Sequence, residues 1–549
     1  MKSGNPILRE FNRSRTGLLL LNFLMLGMAG VVRTVGVGNV GRITGEMERG
    51  AVGALLSVVG VSIALILLSY VLRWAAGGLC MGLSNQLAAQ LRVRLVRHLE
   101  GLSFQQYESR EKGNLQSVIS NDVNVATEVI YILHSRILTN VFVYVTSAVY
   151  LLWIDRIMGT VIILFSLFLG GMNHMILNRI REHEKGSRKA LGEISNTVQH
   201  AFAGIDTIRA YGGEEFIMTS FSRGKKRYNG SCLKTEVIDS WRLTFYNIIS
   251  NTAFFAAMFF LGAKGIRGEM DLEKVLSFLM ILRQIMTPME VILRWMTSLV
   301  RCDVSWGRIY EVLEEPAEER REWGRIPGEA RRVEAKDMSF SYERKRLGGR
   351  EIESGKAVFK DLDIGLAKGR LTLLKGKSGS GKTTLIKLLL GLYHGDEGRE
   401  KLCVDGREAP FGQLGVSAAF SEAESAVFCM SVYDNLRMGN ENVTKMRCRE
   451  LFGELGFGDW IDSLPQGLDT VLSESGGDVS GGQRQILAVM RAILTDRPIL
   501  ILDEPFAALD REHGYLLEAY LEKLKEKRFI LLVSHREEFC QNGCEIVQL

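Results

Sequence analysis

Hydrophobic residues in the first half of the chain cluster in long runs that are separated by polar, positively charged stretches. Crossing about 30 Å of hydrocarbon as a helix, at 1.5 Å per residue, takes roughly 20 mainly apolar residues. Six runs qualify, so the pattern predicts six transmembrane helices. These runs are 17–32, 51–72, 137–154, 157–178, 243–263 and 275 to about 296.

Lysine and arginine are concentrated at the N-terminus and in the regions 92–97 and 179–189. Because such residues accumulate on the cytoplasmic side of membrane proteins, we expect these regions to be cytoplasmic. An even number of spans then returns the chain to the cytoplasm before its second half. The connections 73–136 and 179–242 are polar and compatible with helix, so long helices are expected to protrude inward, whereas Asp155-Arg156 predicts a minimal outer turn.

A phosphate-binding pattern, G-x-x-x-x-G-K-[ST], lies between the strand-like run 371–374 and the helical pattern 385–390. Glycines let backbone N–H groups curl around phosphates, and the following helix directs its positive end at them. Lys382 is expected to neutralise β/γ oxygens, and the Thr383 hydroxyl to ligate Mg²⁺. The predicted nucleotide-binding residues here are Gly376, Lys377, Ser378, Gly379, Ser380, Gly381, Lys382, Thr383 and Thr384.

The pattern of the chain changes between 314 and 328, where proline, glycine and alternating charge interrupt the apolar periodicity. Beyond this segment, short β-type runs such as 499–502 and 529–533 alternate with helical patterns, which is typical of an α/β sheet. The predicted fold is therefore an all-α polytopic membrane domain of six helices followed by an α/β P-loop ATPase domain. We place these at 1–315 and 331–549, joined by a linker at 316–330.

Composition agrees with a membrane part, because 46% hydrophobic residues and a mean hydropathy of +0.07 are high for a soluble protein of 549 residues. A net charge of +5 without a large basic block argues against a nucleic-acid partner. The 8 cysteines show neither close pairs nor regular spacing. They are therefore expected to be free thiols in a reducing cytoplasm.

Two further motifs follow the phosphate loop. Val479-Ser480-Gly481-Gly482-Gln483 precede a helical pattern, and Ile499-Leu500-Ile501-Leu502 lead into Asp503-Glu504. In this order, after six predicted spans, the motifs resemble those of the ATP-binding cassette (ABC) transporter family. The chain is similar over nearly its whole length to an exporter-type half-transporter, in which six membrane helices precede one nucleotide-binding domain.

The resemblance implies chemical roles for four residues. Asp503 is similar to the aspartate that organises Mg²⁺, and Glu504 to the general base that polarises the attacking water. A carboxylate at the end of a buried strand suits either role, and a positioned base contributes about 10²- to 10⁴-fold in rate. His535 matches the family's switch histidine, which reaches the γ-phosphate, and Tyr342 lies where the family stacks an aromatic ring on adenine; a structural tyrosine is the alternative.

The signature segment implies a partner chain. In the family this loop contacts the γ-phosphate of ATP held by the opposite subunit, so Ser480, Gly481, Gly482 and Gln483 are expected to bind nucleotide in a dimer. Val479 replaces the usual leucine and keeps its apolar character. The implied cofactors are ATP and Mg²⁺, and the implied partners are a second half-transporter, identical or different, the lipid bilayer and a transported substrate.

Other segments resemble the parts that connect ATP hydrolysis to the membrane helices. Ala508-Leu509-Asp510 is similar to the loop that communicates between the two ATP sites, and Glu474 to the acid that contacts membrane-domain loops. The segments 104–107 and 204–211 resemble the first and second cytoplasmic coupling loops. Short helices there are expected to transmit closure of the ATPase domains as a rigid-body switch, although amphipathic surface helices are the alternative.

One departure from the family concerns Ala423, which occupies the position of a glutamine that touches Mg²⁺ and the attacking water. The side-chain carboxamide is therefore absent. Three explanations remain open: an adjacent glutamate, Glu422 or Glu424, substitutes for it; the coupling is altered; or a partner chain supplies the better ATP site.

Four charged residues lie in or near the predicted spans, where a mid-bilayer arginine costs about 2.5 to 3.5 kcal/mol on insertion scales. Glu290 and Arg294 are four residues apart and are expected to pair on one helix face, which Pro288 could kink. Arg33 and Arg283 require water or a partner. A role in a substrate cavity and a purely stabilising role are both open.

We interpret the chain as an ATP-hydrolysing exporter of an unidentified peptide, lipid or hydrophobic small molecule, located in a cell membrane, by inference the bacterial inner membrane, with its ATPase domain in the cytoplasm. An importer of the same architecture, as for siderophores, and one half of a heterodimer with asymmetric ATP sites are the alternatives. The six spans argue against a soluble ABC ATPase of nucleic-acid maintenance or translation.

Overall fold

The computed structural model describes residues 6–109, 112–318, 323–342, 346–347, 350–351, 357–377, 379–395, 399–423, 426–473, 479–536 and 544–549. Contacts divide the chain into two units. The first comprises Met1–Glu100 and Glu111–Glu315, and the second Gly101–Arg110 and Pro316–Leu549. The segment Gly101–Arg110, which falls within the predicted membrane domain, therefore packs with the residues of the second unit.

Long helices make up the first unit. Helices α4 (Val52–Glu100), α9 (Arg156–Ala203) and α11 (Glu214–Ile266) contain 49, 48 and 53 residues. Each is therefore about 70 to 80 Å long and exceeds the roughly 30 Å hydrocarbon core of a membrane. This confirms the prediction of long helices between the spans. The helices of the first unit are α1 (Pro6–Ser14), α2 (Thr16–Gly38), α3 (Val40–Glu48), α4 (Val52–Glu100), α6 (Lys112–Ser117), α7 (Val123–Tyr131), α8 (Leu138–Ile154), α9 (Arg156–Ala203), α10 (Ile205–Tyr211), α11 (Glu214–Ile266) and α12 (Leu272–Leu313), with π-helical turns at Val118–Asp122 and Ile132–Ile137.

Within the described part of the chain, six helical segments are long and apolar enough to cross a membrane, which confirms the predicted number. These segments are Thr16–Glu48, Val52–Glu100, Asn114–Ile154, Arg156–Asn173, Glu214–Ile266 and Leu272–Leu313. The predicted minimal turn is Asp155 alone, which separates α8 from α9. Its Oδ1 atom accepts a hydrogen bond from the Met158 N–H at 2.9 Å, capping α9, and its Oδ2 atom pairs with Lys264.

The expected pair between Glu290 and Arg294 is present, with 3.0 Å between Arg294 Nη2 and Glu290 Oε1. The same carboxylate lies 4.0 Å from Nη1 of Arg242, whose side chain is buried between helices. Arg242 also donates to Asn173 Oδ1 at 2.8 Å and to Asp239 Oδ1 at 2.7 Å. A buried guanidinium in a membrane helix is thus paired and hydrogen-bonded, as its desolvation requires.

The described residues of the second unit form two larger sheets and a two-stranded antiparallel ribbon of β2 and β3. The central sheet is parallel with strand order β11-β5-β10-β9-β8, and the other large sheet is antiparallel with order β4-β1-β6-β7. Every residue of β9 and of β10 is buried, which explains their continuous aliphatic sequences. The strands are β1 (Arg332–Ser341), β2 (Arg346–Leu347), β3 (Arg350–Glu351), β4 (Ala357–Ala367), β5 (Leu371–Lys375), β6 (Lys401–Val404), β7 (Arg407–Ala409), β8 (Ala418–Ser421), β9 (Ile499–Asp503), β10 (Phe529–Val533) and β11 (Glu545–Gln548).

Helices alternate with the strands of the second unit and complete the α/β architecture, so the predicted fold class is confirmed. They are α5 (Phe104–Ser109), α13 (Lys382–Leu389), α14 (Gly412–Ser417), α15 (Val432–Arg437), α16 (Lys445–Glu454), α17 (Gly458–Ser463), α18 (Gly481–Leu494) and α19 (Arg511–Leu524). Because parallel strands end at one edge, residues that follow β5, β9 and β10 meet there. The described cysteines are all free thiols, as predicted.

Candidate nucleotide site

The phosphate loop connects β5 to α13, as its sequence context predicts. Gly379 and Gly381 have φ values of 80° and 97°, a conformation that residues with a Cβ atom rarely adopt. A Cβ atom on Gly381 would also clash with Val358 Cγ1. The Ser380 hydroxyl is buried and has no hydrogen-bond partner among the residues that the structure describes. Ser378, also predicted to bind nucleotide, lies outside the described residues.

Lys382 is the first residue of α13 and turns back over the loop. Its ammonium group donates to the carbonyl oxygens of Gly376 at 2.8 Å and Lys377 at 3.2 Å. These bonds hold the positive charge above the loop, at the positive end of α13, where phosphate oxygens would be attracted by both. Thr383 follows on the first turn of the same helix and is exposed, while Thr384 is buried.

Tyr342, the predicted adenine-stacking residue, lies beside the helix that begins at the phosphate loop. Its hydroxyl is 2.8 Å from Thr384 Oγ1, and its ring packs edge-on against Phe340 with 5.2 Å between centroids. The side chain nevertheless remains 45% exposed. An exposed aromatic face next to the phosphate loop is compatible with stacking on a base.

The carboxylates of Asp503 and Glu504 lie at the end of β9, next to β10. Asp503 pairs in register with Val533, and the N–H of Glu504 donates to the Val533 carbonyl at 2.9 Å. Burial raises the pKa of Asp503 above its ordinary value, and the charges of Glu504 and Glu422 raise it further, while Lys382 and His535 act in the opposite direction. The strand end therefore carries an excess of negative charge.

This chemistry fits a divalent cation. Asp503 is only 8% exposed, and its buried carboxylate is crowded by other carboxylates, a repulsion that a cation would offset. Among the described residues, no group of three or more histidine, cysteine, aspartate or glutamate side chains is arranged to hold a metal by itself. Mg²⁺ characteristically uses one or two carboxylates together with substrate phosphates, so Asp503 and the Thr383 hydroxyl would be a sufficient set of protein ligands.

The backbone of Glu504 is held in an unusual conformation, with φ of 50°. Its Oε2 atom accepts the His535 N–H at 3.3 Å, and its Oε1 atom lies 3.5 Å from His535 Nε2. Oε1 is buried and accepts no hydrogen bond within the described part of the chain. A left-handed backbone in a residue other than glycine persists only when surrounding contacts enforce it, and such positions cluster at functional sites.

Gln485 is one of these enforcing contacts, and sequence reasoning missed it. Its side chain is 5% exposed in α18, where its Nε2 atom donates to the Glu504 carbonyl and its Oε1 atom accepts the Ala508 N–H at 2.6 Å. One amide group thus binds both ends of the turn after β9. The available signal was a glutamine on the apolar, buried face of a predicted helix.

The signature segment forms the start of α18. Ser480 Oγ accepts the Gln483 N–H at 3.2 Å, and Gln483 Oε1 accepts the Ser480 N–H at 2.8 Å, which makes a reciprocal capping box. A Cβ atom on Gly482 would lie 2.9 Å from the Ala508 carbonyl oxygen, so the glycine permits close packing on 508–510. Ser480 and Gly481 are exposed. Within the described residues, no hydrogen bond joins this segment to the phosphate loop of its own chain.

Ala423 lies two residues beyond β8 and is exposed. Its neighbour Glu422 is near enough to Asp503 to raise the pKa of that carboxyl group. A polar side chain of this loop therefore does lie near the end of β9, but it is the side chain of Glu422, the residue before Ala423. Glu424 and Glu474, which the sequence analysis also singled out, lie outside the described residues.

Helix α5 contacts α13 and the residues that follow it, within the second unit. Glu108 Oε1 accepts a hydrogen bond from Lys387 at 2.8 Å, and Glu108 Oε2 accepts one from the Tyr393 hydroxyl. The ring of Tyr393 stacks on Phe340, with 5.0 Å between centroids and 5° between planes. Phe340 in turn contacts Tyr342, so an aromatic cluster connects α5 with the predicted adenine side of the site.

Comparisons with known proteins agree with this geometry. The ABC transporter family matches residues 359–507, and the ABC transporter transmembrane region matches residues 19–289. An uncharacterized ABC transporter ATP-binding protein, YfiC of Bacillus subtilis, is 23% identical over 541 residues, which cover 97% of this chain and 88% of that protein. The ATP-dependent lipid A-core flippase of Vibrio cholerae is 26% identical over 491 residues, covering 87% of this chain and 80% of the flippase.

A solved structure shares the fold. It is described as a bacterial Atm1-family ABC exporter with ATP bound, and it aligns with a TM-score of 0.75 at 17% sequence identity. The alignment covers 98% of this chain and 93% of the exporter. Both the helical and the α/β parts of the fold are therefore shared, in the same order along one chain.

Proposed function

The chain belongs to the ABC transporter family, as an exporter-type half-transporter that couples ATP hydrolysis to transport, and we propose that two such chains bind and hydrolyse two ATP molecules between them. The observation that carries the proposal is the turn at Glu504, where hydrogen bonds hold the backbone in a left-handed conformation. The Glu504 N–H donates to Val533, and Glu504 accepts hydrogen bonds from His535 and Gln485, so that its buried carboxylate oxygen Oε1 is held in place at the end of β9.

Each residue of the candidate nucleotide site has a distinct proposed role. Lys382 and the N–H groups of the loop bind phosphate oxygens, and Thr383 with Asp503 holds Mg²⁺, which neutralises charge on the phosphates when bound. Glu504 Oε1 accepts the proton of the attacking water, and His535 orients that water. Tyr342 stacks on the adenine ring.

A dimer is proposed because the signature segment has the form of an anion site. The N-terminus of the 14-residue helix α18 directs N–H groups outward from the exposed Ser480 and Gly481. We propose that it contacts ATP bound to the phosphate loop of a second chain. Two equivalent sites then form in a head-to-tail arrangement, and their closure drives the membrane helices between two states. We propose that the ATP sites lie in the cytoplasm, where ATP is available.

A heterodimer is the second candidate, and Ala423 is the observation that favours it. The loop after β8 lacks the carboxamide of the family glutamine, so a different half-transporter would supply the complete version of one site. In a homodimer, Glu422 would take over from the missing carboxamide, since its charge already reaches Asp503.

The test is ATP hydrolysis by the full chain, purified alone and placed in lipid nanodiscs. We expect turnover that Glu504→Gln lowers by about 10²- to 10⁴-fold, because a positioned general base is lost. Glu512→Gln, an exposed carboxylate in the first turn of α19, is the matched control and should leave turnover unchanged.

The outcomes separate the two candidates. Turnover that depends on Glu504 in the chain alone supports the homodimer. Folded protein that binds ATP without turnover supports a missing partner half-transporter. Turnover that is equal in the native chain and in Glu504→Gln would contradict the proposed mechanism.

A further inference from the structure

A cavity of about 1230 Å³ lies within the first unit, walled by residues of α2, α4, α7, α8 and α12. Its size is above the usual range for sites that bind drug-sized molecules. Its lining contains aromatic and aliphatic side chains as well as polar ones. Those that matter here are Tyr70, Trp74, Tyr131, Arg33, Arg73 and Arg136.

Three arginines give the cavity a positive charge. Arg33, Arg73 and Arg136 come from different parts of the chain, and both Arg33 and Arg136 are near enough to Arg73 to repel it. Among the described residues that line the cavity, Glu128 is the single acid. Three positive charges against one negative charge leave a net charge of +2 on the lining.

The guanidinium groups keep their hydrogen-bond donors available. Arg136 lies over the rings of Tyr131 and Trp295, 5.0 and 5.4 Å from the centroids, and Arg73 lies 5.9 Å from the centroid of Tyr70. These cation–π contacts hold the side chains against apolar surfaces without using their N–H groups. Within the described part of the chain, none of the three arginines forms an ion pair with a carboxylate.

The arginines lie at different depths. Thr34, next to Arg33, is hydrogen-bonded to Thr146 at 2.9 Å, which fixes the level of α2 against α8. Arg136 precedes Thr146 by ten residues in a helical segment, a rise of about 15 Å. The backbones of Arg33 and Arg136 therefore lie at different levels of the cavity, while both side chains come near Arg73.

From these observations, and resting on the proposed transport function, we propose that this cavity binds an amphiphile with an anionic phosphate or carboxylate headgroup. The planar guanidinium fork matches such groups in a bidentate manner. Unpaired arginines among membrane helices face cavities and interact with ligands or ions. The apolar part of the ligand packs against Tyr70, Trp74 and Tyr131, and arginines at successive depths can pass the headgroup along the cavity.

The test measures binding to the full chain in nanodiscs of zwitterionic phosphatidylcholine. Dioctanoyl phosphatidate and dioctanoyl phosphatidylcholine have the same tails and differ in headgroup charge, and glycerol 3-phosphate has the anionic group without tails. Binding is followed by tryptophan fluorescence, since Trp74 lines the cavity. We expect phosphatidate to bind at least about tenfold more tightly than either other probe.

Substitution of the arginines identifies the site. In the triple variant Arg33→Gln, Arg73→Gln, Arg136→Gln, the preference for phosphatidate should fall to within about twofold. Arg283→Gln removes an exposed arginine of α12 that does not line the cavity, and it should retain the full preference. If the triple variant fails to fold, Glu128→Gln serves instead, because removal of the single acid should tighten phosphatidate binding by about twofold or more.

Three results would overturn the proposal. They are equal affinity of the native chain for the two lipids, a preference that survives in the triple variant, and binding of glycerol 3-phosphate as tight as that of phosphatidate. The last would mean that the site takes a soluble anion. ATP turnover is measured in the same preparations. If the native chain hydrolyses ATP but shows no headgroup preference, this inference alone is rejected. If the native chain does not hydrolyse ATP, the result counts against the proposed function instead.

Discussion

The ammonium group of Lys387 forms a 2.8 Å ion pair with the carboxylate of Glu108, although 279 positions separate the two residues along the chain. Lys387 lies on α13, the helix that begins at the phosphate loop, and its ammonium group is 5.2 Å from the centroid of the Phe104 ring. Tyr393 donates to the same carboxylate. The helix that would bind phosphate at one end is thus attached to α5 near the other.

Glu108→Gln is expected to weaken this attachment while leaving the nucleotide site intact. Because the pair is partly exposed, with 47% of the Glu108 side chain accessible, its loss should cost under about 1 kcal/mol of stability. In proteoliposomes, we expect ATP turnover within about twofold of native, and a fall of about fivefold or more in labelled phosphatidate moved per ATP hydrolysed. Glu408→Gln, an exposed acid on β7, is the control. An unchanged ratio of transport to hydrolysis in Glu108→Gln would show that the contact does not couple them.

Gln485→Leu is expected to slow hydrolysis by releasing the turn that carries Glu504. Leucine preserves the volume but leaves the Ala508 N–H and the Glu504 carbonyl without their partner, a loss of about 1 to 3 kcal/mol for the two hydrogen bonds. We expect kcat to fall about tenfold with KM for ATP within about twofold, because the hydrogen bonds of Gln485 hold the turn that carries Glu504. Gln466→Leu, at an exposed position, should change neither. A change in KM alone would place Gln485 in binding rather than in positioning.

Tyr342 offers a separate test of adenine recognition. Tyr342→Phe removes the hydrogen bond to Thr384 but keeps the ring, so KM for ATP should stay within about twofold of native. Tyr342→Ala removes the ring, and KM should rise about fivefold, which corresponds to roughly 1 kcal/mol of stacking. Equal effects of the two substitutions would mean that the hydroxyl, and not the ring, is the contributing group.

Thiol reactivity should distinguish Cys448 from Cys429. Burial raises the pKa of the Cys448 thiol above its ordinary value to about 11, so the thiol stays protonated and protected at pH 8. Cys429 is exposed and should react first with a thiol reagent, as followed by mass spectrometry of labelled peptides. Because the thiol ionises more readily in the unfolded chain, its contribution to stability is present below pH 9 and is lost as pH rises towards 11. Equal labelling of both cysteines in the folded protein would contradict the burial.

The phosphate loop and the strand end could be predicted because their signals are local. Gly381 and Lys382 are adjacent in sequence, and Asp503 directly ends an aliphatic strand, so a short pattern contains both the structure and the chemistry. Gln485 could not be assigned in this way. Its partners Glu504 and Ala508 lie 19 and 23 positions away, and only the packing of α18 against the turn brings them together.

The arginine-lined cavity shows a second limit of sequence reasoning. The sequence predicts that Arg33 requires water or a partner. It marks Arg73 and Arg136 only as the first and last residues of the polar connection 73–136. In the structure, α4 continues through Arg73 as one helix of 49 residues, and Arg136 leads into α8. Hydropathy marks where apolar runs stop, but the inner face of a bundle depends on how separate helices pack. The ion pair between Glu108 and Lys387 likewise corresponds to no periodic pattern in the sequence from which it could be predicted.

The assignment of Gly101–Arg110 to the second unit has a practical consequence for exchanging parts between half-transporters. A chimaera joined at the linker would bring a foreign α13 to the native α5 and so separate Glu108 from the lysine and tyrosine that it contacts here. Moving residues 101–110 together with the C-terminal part preserves those contacts. The part of this chain that can be exchanged therefore consists of two separate segments. One is the C-terminal part, and the other is the ten-residue segment 101–110, which lies between two membrane helices in the sequence.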